Sequence, residues 1–240
     1  MKKIKHITYI LSLSLLLIPV VLRAQQPGSQ GKMINELQDS YDREYGLDNK
    51  LYNGIKYTNQ YYNYDGNPYL LEKALSGSVT IDSTKFAEQH ILYDIYNDQL
   101  IIDVQQANLH TSFIVPTEDI DEFRIGNRCF VLQPDDPTKK NILEKVYEGD
   151  ISCYLDWKKE TQLRSQTSGY TYVFTDAVWE GILYMDGNKY EFHSKRSFLK
   201  MVPKSIRKNI KSYISDQHIK IKRSDIRRLN EVVAYWDQNK

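Results

Sequence analysis

From Gly77 to His193 the chain alternates short runs of strand-forming residues with tight breaks. Val79-Thr80-Ile81 opens the series. Ile91-Leu92-Tyr93-Asp94-Ile95-Tyr96 and Leu100-Ile101-Ile102-Asp103-Val104 then flank Asn97-Asp98-Gln99, and two β-rich runs around such a break predict a hairpin. Phe123-Arg124-Ile125 and Arg128-Cys129-Phe130-Val131 are separated by Gly126-Asn127, and Val146-Tyr147-Glu148 and Ile151-Ser152-Cys153 by Gly149-Asp150. Glycine in the first central position is what a type II′ turn requires, so both pairs are expected as two-residue hairpins. Ile182 to Met185 and Lys189 to Phe192 repeat the theme around Asp186-Gly187-Asn188. Short links make neighbours in sequence neighbours in a sheet. The expected fold class is therefore mainly β (α+β): an antiparallel meander over 51–193, as a sandwich or a half-barrel. No crossover helices separate the runs, which argues against a doubly wound α/β fold.

After Ser194 the period changes. Ser194 is placed to cap a short helix carrying Phe198, Leu199 and Val202, and Pro203 stands where a second would begin. The second presents Ile206, Ile210, Tyr213 and Ile214 on one side. A third, with Ser224 as the expected cap, presents Ile226, Leu229, Val233 and Trp236. Residues 194–240 thus form a helical C-terminal unit expected to pack on the sheet. Upstream, 25–50 reads as a flexible leader with a short helix over 33–45. The stretch 51–69 is dense in tyrosine and is broken at Asn53-Gly54 and at Asp65-Gly66-Asn67-Pro68, where turns are required.

The first residues bear on the compartment. Lys2, Lys3 and Lys5 precede the apolar run 7–22, and Leu22-Arg23-Ala24 ends in a small residue before Gln25. This is the pattern of a cleavable signal peptide over 1–24. The run, about 16 residues with Pro19 inside it, falls short of the roughly 20 that span a bilayer, and no later segment is apolar enough to cross one. No cysteine follows the expected cleavage site, so acylation of a new N-terminal cysteine is not expected. The chain is expected to be exported, to the periplasm or beyond the cell.

Composition adds three points. Nineteen Tyr stand against seven Phe, and tyrosine, with a flat apolar body and a hydrogen-bonding tip, suits half-buried sheet faces and surfaces that meet polar partners. Charge is split along the chain: 25–135 holds about 8 basic and 17 acidic residues, and 136–240 about 20 basic and 14 acidic. The two halves attract one another or face different surroundings. Cys129 and Cys153 are the only thiols. In an oxidising compartment they either pair, closing a loop worth roughly 3 kcal/mol, or stand apart as two small buried hydrophobes.

Leu51-Tyr52-Asn53-Gly54, Gly66-Asn67-Pro68-Tyr69, Gly77-Ser78-Val79-Thr80-Ile81-Asp82 and Leu92-Tyr93-Asp94-Ile95-Tyr96 occur in that order. The series resembles a group of bacterial exported proteins of unknown function with N-G, G-x-P-aromatic, GSV and YDIY elements. The resemblance implies export and a β-rich fold and brings no active-site residues. Where such proteins tend to carry a D-G turn after the GSV strand, this chain has Asp82-Ser83-Thr84, so that turn is expected to differ.

Candidate chemistry is sparse. His90, His110, His193 and His218 are scattered with no ligand spacing, and neither a phosphate loop nor a GxSxG elbow is present. No cofactor or metal is expected. Asp94, Asp98 and Asp103 near one hairpin, and the run Glu118, Asp119, Asp121 and Glu122, are the carboxylates that paired acid/base chemistry on a glycan would draw on. Solvated hairpin edges explain them as well. The basic positions Lys204, Arg207, Lys208, Lys211, Arg223, Arg227 and Arg228 fit anionic lipid headgroups or glycans or simply solvent-facing helix sides, and export removes nucleic acid as a partner. Tyr57, Tyr61, Tyr62, Tyr64 and Tyr69, beside Asn and Asp, are the candidate binding residues, able to stack on sugar rings. The expected function is that of a non-catalytic binding or scaffold protein of the bacterial envelope, its partner a glycan, lipid or protein. A glycan hydrolase and a carrier of a lipid or other apolar ligand are the alternatives.

Overall fold

The hairpin pattern is realised as a mainly β structure with an open, strongly curled antiparallel sheet. The computed structural model describes residues 51, 55–106, 109–132, 141–167, 169–222 and 226–240, all within the unit Leu47–Lys240. The expected signal peptide, the expected leader with its helix, the expected Asn53-Gly54 turn and the expected cap Ser224 lie outside the described residues.

The described strands are β1 Ile55–Lys56, β2 Leu75–Ile81, β3 Thr84–Asp94, β4 Gln99–Gln106, β5 Leu109–Val115, β6 Ile120–Ile125, β7 Arg128–Leu132, β8 Ile142–Tyr147, β9 Ile151–Lys158, β10 Thr161–Gln166, β11 Gly169–Phe174, β12 Val178–Met185 and β13 Asn188–Phe192. Eleven form one sheet in the order β1-β5-β4-β3-β2-β6-β7-β8-β9-β12-β13, and β10 and β11 form a separate hairpin. Most pairings join sequence neighbours, as short links dictate. The exceptions are β1 against β5, β9 against β12, between which the β10–β11 hairpin is inserted, and β2 against β6, which welds two meanders into one sheet.

That weld requires the sheet to roll. In strand order β5 and β6 stand four spacings apart, about 19 Å if the sheet were flat. Only residues 116–119 connect them, and Thr117–Asp119 is a tight 3-10 turn. Likewise Tyr93 on β3 reaches the Ile142 carbonyl on β8 at 3.4 Å, again across four spacings. Register shifts at Gly77/Val79, Thr80/Ile81 and Lys145/Tyr147 mark irregularities that locally increase twist.

The concave face fills itself. Ile91, Tyr93, Leu100, Ile102, Phe123, Phe130 and Ile142 are buried together there, with the Phe123 and Phe130 rings stacked at 4.8 Å and Tyr93 edge-on to both. Beyond β8 a second cluster takes over. Ile151, Cys153 and Leu155 of β9, Leu183 of β12 and Phe192 of β13 meet three helices: α1 Lys195–Met201, α2 Lys204–Asp216 and α3 Leu229–Gln238. Trp157 touches both clusters and marks the seam.

The helical unit follows its pattern. Ser194 caps α1 in a capping box with Ser197, and Pro203 stands immediately before α2. Arg207 closes the α1–α2 corner by donating to the Val202 and Lys200 carbonyls. Ile210, Ile214, Leu229, Val233 and Trp236 are buried. No helix among the described residues is long and apolar enough to cross a membrane.

Of the two expected two-residue hairpins, one is found and one is corrected. Gly126 has φ +59, as the first residue of a II′ turn must, and Ile125 pairs directly with Arg128. Gly149, in contrast, has no positive φ, and Tyr147 pairs with Cys153, so Gly149-Asp150 is not a two-residue hairpin. Its glycine serves approach instead. A Cβ there would stand 2.9 Å from the Tyr147 ring and closer still to Asp237 of α3, whose carboxylate accepts from Tyr147 Oη and from the Asp150 amide.

The cysteines are both free and buried. Cys129 on β7 and Cys153 on β9 are separated by β8. Cys129 pairs with Lys145, and Lys145 with Tyr154, so Cys153 points to the opposite face of the sheet. Two strand spacings, about 10 Å, exceed the Cα separation that a disulfide bridges.

Candidate functional site

The tyrosine-rich segment crosses the end of the curled sheet where the β3–β4 hairpin turns. Asp94 organises that turn. It is fully buried and accepts from the Tyr96 and Asn97 amides and from Asn97 Nδ2 at 2.7 to 3.0 Å. The Tyr69–Asp94 bridge and the hydrogen bonds that the Leu70 amide donates to the Tyr93 carbonyl and the Ile95 amide to the Pro68 carbonyl lash the segment to the hairpin. Gly66, at φ +83, lets the chain bend so that Asp65 exchanges backbone hydrogen bonds with Tyr172 and Phe174 of β11. Lys159 Nζ donates to the Asn67 carbonyl at 2.8 Å from the end of β9.

These ties sort the five predicted tyrosines into two groups and an outlier. Tyr57 and Tyr69 form one pair, hydroxyl to hydroxyl at 2.7 Å with rings edge-on. Burial, then the shared hydrogen bond, pushes the Tyr57 hydroxyl well above its ordinary pKa; burial raises that of Tyr69 too. Tyr61 and Tyr64 join a separate cluster. Tyr61 packs edge-on against Tyr64, Tyr96 and Phe174 and its hydroxyl donates to Asn97 Oδ1. Tyr64 stacks on Tyr172 at 5.0 Å, nearly parallel. Tyr62 is 78% exposed.

The predicted residues thus mostly use their rings on one another, and the outward aromatic area comes largely from residues the segment does not contain. Tyr170, Tyr172 and Phe174 share one face of β11 and are 76%, 47% and 7% exposed, a gradient from hairpin tip to base. Leu163 of β10 lies opposite Tyr172 and is also exposed. Tyr96 adds a partly exposed ring at the β3–β4 turn. The signal for β11 was present in the sequence, because aromatics at i, i+2 and i+4 lie on one face of a strand. The association of Tyr96 with this patch is purely tertiary.

The carboxylates have structural duties. Asp98 accepts from Tyr93 Oη at 2.5 Å and from the Ile142 amide, pinning β3 to β8. Burial raises the pKa of Asp94 and of Asp98, against the pull of the hydrogen bonds each accepts. Asp103 accepts from Ser112 Oγ, Asp121 from the Ser83 amide, and Glu122 faces Arg124. Glu118 and Asp119 lie in the 3-10 turn. A cross-strand pair, Asp156 with Glu180, lies on the sheet face away from the helices, and Lys158 Nζ stands 2.7 and 3.9 Å from the two carboxylates. No group of three or more His, Cys, Asp or Glu able to hold a metal occurs among the described residues. Among the described residues the concave interior is packed with its own side chains, where a lipid carrier of half-barrel form would present an apolar hollow.

Comparison with known proteins returns no match: no family model, no curated relative and no solved structure matches the chain.

Proposed function

We propose that this protein is a non-catalytic, exported binding or scaffold component of the bacterial envelope, and that it holds a glycan against the aromatic face of the β10–β11 arm. The observation that carries the reading is the graded row Tyr170, Tyr172, Phe174, with Tyr64 stacked on Tyr172 and Tyr96 packed against Phe174. Rigid rings with polar tips suit sugars, whose C–H faces lie on an aromatic plane while their hydroxyls hydrogen-bond around it. The arm is anchored for the purpose, because Asp65 grips the β11 backbone at Tyr172 and Phe174. Export is supported by the charge, length and small-residue pattern of residues 1–24.

The test is calorimetric titration of the chain from Gln25 onward with soluble peptidoglycan fragments and neutral envelope polysaccharides, on wild type and on the double variant Tyr170→Ala/Tyr172→Ala. Both side chains are exposed, so the fold survives the change. A glycan that binds wild type and loses at least about tenfold in affinity for the variant supports the reading, since stacking on an exposed ring is worth on the order of 1 kcal/mol. Absence of binding by any glycan, or equal affinity in both proteins, defeats it.

A further inference from the structure

A cleft of about 620 Å³ opens at the seam, between strands β7 to β9 and the first turn of α3. That volume is the size of a small-molecule site. Its floor is a built polar group. The Arg128 guanidinium carbon lies over the rings of Phe130 and Trp157, 5.3 and 4.8 Å from their centroids, and the group donates through Nε and Nη2 to the two oxygens of Glu144 at 2.8 and 2.6 Å. Trp157 Nε1 donates to Glu144 Oε2 at 2.7 Å. The Arg128 and Glu144 side chains are 22% and 13% exposed.

This arrangement fixes the guanidinium and leaves part of it over. A side-on pair with one carboxylate uses two of the five N–H donors of an arginine. The outer fork, Nη1 with the second N–H of Nη2, is not taken by Glu144. Arg227, Arg228 and the start of α3 also line the cleft, the Arg228 guanidinium being paired with Glu231 and donating to the Gln217 carbonyl. Arg228 stands at the N-cap in a left-handed conformation (φ 66) and gives no side-chain cap to the first-turn amides. Those amides and the helix dipole favour negative charge at that point. Val146 and Leu155 give the cleft an apolar wall. The outer fork of Arg128, Arg227 and the α3 amides therefore line a ligand-sized space in which Glu144, the one carboxylate among the described lining residues, is already engaged.

We propose that this cleft is a binding site for a small anionic molecule, whose carboxylate or phosphate group is taken by the outer fork of Arg128 and held also by Arg227 and the α3 N-terminus. The site is separate from the aromatic face of β11 and does not depend on it. A guanidinium paired and held over two rings needs no reordering to receive a planar or tetrahedral oxyanion, and that preorganisation is what distinguishes Arg128 from a solvent-facing arginine.

The test titrates the chain from Gln25 onward with three related sugars, glucose 6-phosphate, glucuronate and glucose, by calorimetry at low salt. Saturable binding of one or both acids, none by glucose, and about tenfold weaker binding in Arg227→Glu support the proposal; tenfold corresponds to about 1.4 kcal/mol. Arg227 is on the exposed side of the cleft, so its reversal leaves the core intact. The relative strength of the two acids tells phosphate from carboxylate. Arg128→Lys, which keeps the charge but loses the fork, weakens binding while near-native thermal stability reports an intact fold. Binding of neither acid up to about 10 mM, equal binding of glucose, or unchanged affinity in Arg227→Glu overturns the proposal. Tyr170→Ala/Tyr172→Ala leaves this binding unaltered, so the outcome is read independently of the glycan reading.

Discussion

Replacing Gly181 by alanine tests how the helical unit is seated on the sheet. Gly181 lies in the middle of β12, opposite Leu155 on one side and Phe192 on the other. In most strand interiors Gly to Ala is a gain of about 0.5 to 1 kcal/mol, because glycine gives up more backbone freedom on folding. Here the added methyl has no room. A Cβ at Gly181 would stand 2.7 Å from Phe192 Cδ1 and closer still to Cε1 and Cζ, against an ordinary contact of 3.4 Å or more, so clearing Cδ1 alone takes about 0.7 Å and the nearer ring atoms must retreat further. It cannot do so alone. Phe192 is edge-packed on Trp179 at 5.6 Å and on Phe198 at 5.3 Å, and Phe198 is edge-packed on Trp236 at 5.7 Å. Overpacking of a filled core costs about 1 to 3 kcal/mol, and with the ring boxed in on two sides the upper end is expected. For a domain of this size about 3 kcal/mol lowers Tm by roughly 6 to 12 °C. Urea unfolding read by tryptophan fluorescence measures it, since Trp179 and Trp236 lie in the affected cluster. Phe192→Leu should relieve the crowding, so the double variant Gly181→Ala/Phe192→Leu is expected to be more stable than the sum of the singles by at least about 1 kcal/mol. A neutral or stabilising Gly181→Ala, or strictly additive singles, refutes the packing argument.

The Asp82-Ser83 turn holds two non-glycine residues at φ 47 and 61, so Ser83→Gly should stabilise the chain by about 0.5 to 1 kcal/mol, with a small rise in Tm checked by calorimetry. Burial raises the pKa of Asp98 in the folded state, so its contribution to stability is full below the unfolded carboxyl pKa of about 3.9 and is lost as pH rises through the higher folded value. Asp98→Asn should flatten that part of the profile of Tm against pH, and an unchanged slope counts against the assignment. Glu144→Leu leaves Arg128 and Trp157 Nε1 without their acceptor and should cost about 2 kcal/mol, discounted for the partial exposure of the pair. Arg128→Met/Glu144→Leu should return urea stability to within about 1 kcal/mol of wild type, because an apolar pair of similar volume replaces a desolvated ion pair at little net cost; the same double variant should lose anion binding in the cleft.

What could be read from the sequence is what local geometry decides. Gly126-Asn127 and Asp186-Gly187 are turns because their backbones need positive φ, and Ser194 and Pro203 begin helices for reasons confined to one turn. Asp82-Ser83, read as a departure from a D-G turn, is still a two-residue turn, with Ile81 opposite Thr84. Gly149 shows where local reading stops: its lack of a side chain answers Asp237, most of a domain away in sequence. The same holds for the return from β5 to β6. Hairpin rules give each strand its neighbour but say nothing of the β2–β6 weld, which depends on how far the sheet rolls. The β10 segment Thr161–Gln166 carries Leu163 as its one apolar residue, so it gives no strand signal until β11 pairs with it. Of the candidate site, the tyrosine window was legible and its outward face was not, because which ring turns outward is decided by Asp65 and Gly66 docking on β11.

One register row explains why the seam is where polar chemistry collects. Following the paired positions across the sheet gives Phe86, Val79, Phe123, Phe130, Glu144, Leu155, Gly181 and Phe192, all on one face. Seven of the eight are apolar or glycine. On the β1–β7 side the row is covered because the sheet curls over itself, and on the β9–β13 side because three helices lie on it. Two covers of different curvature do not meet flush, and β8 is the strand beneath the join. A hydrophobic residue at 144 would be left partly wet, whereas a carboxylate there satisfies its oxygens with Arg128 and Trp157 and tolerates the solvent that reaches it. The join therefore costs the core little, and the space it leaves between the covers is the cleft that Arg128 lines.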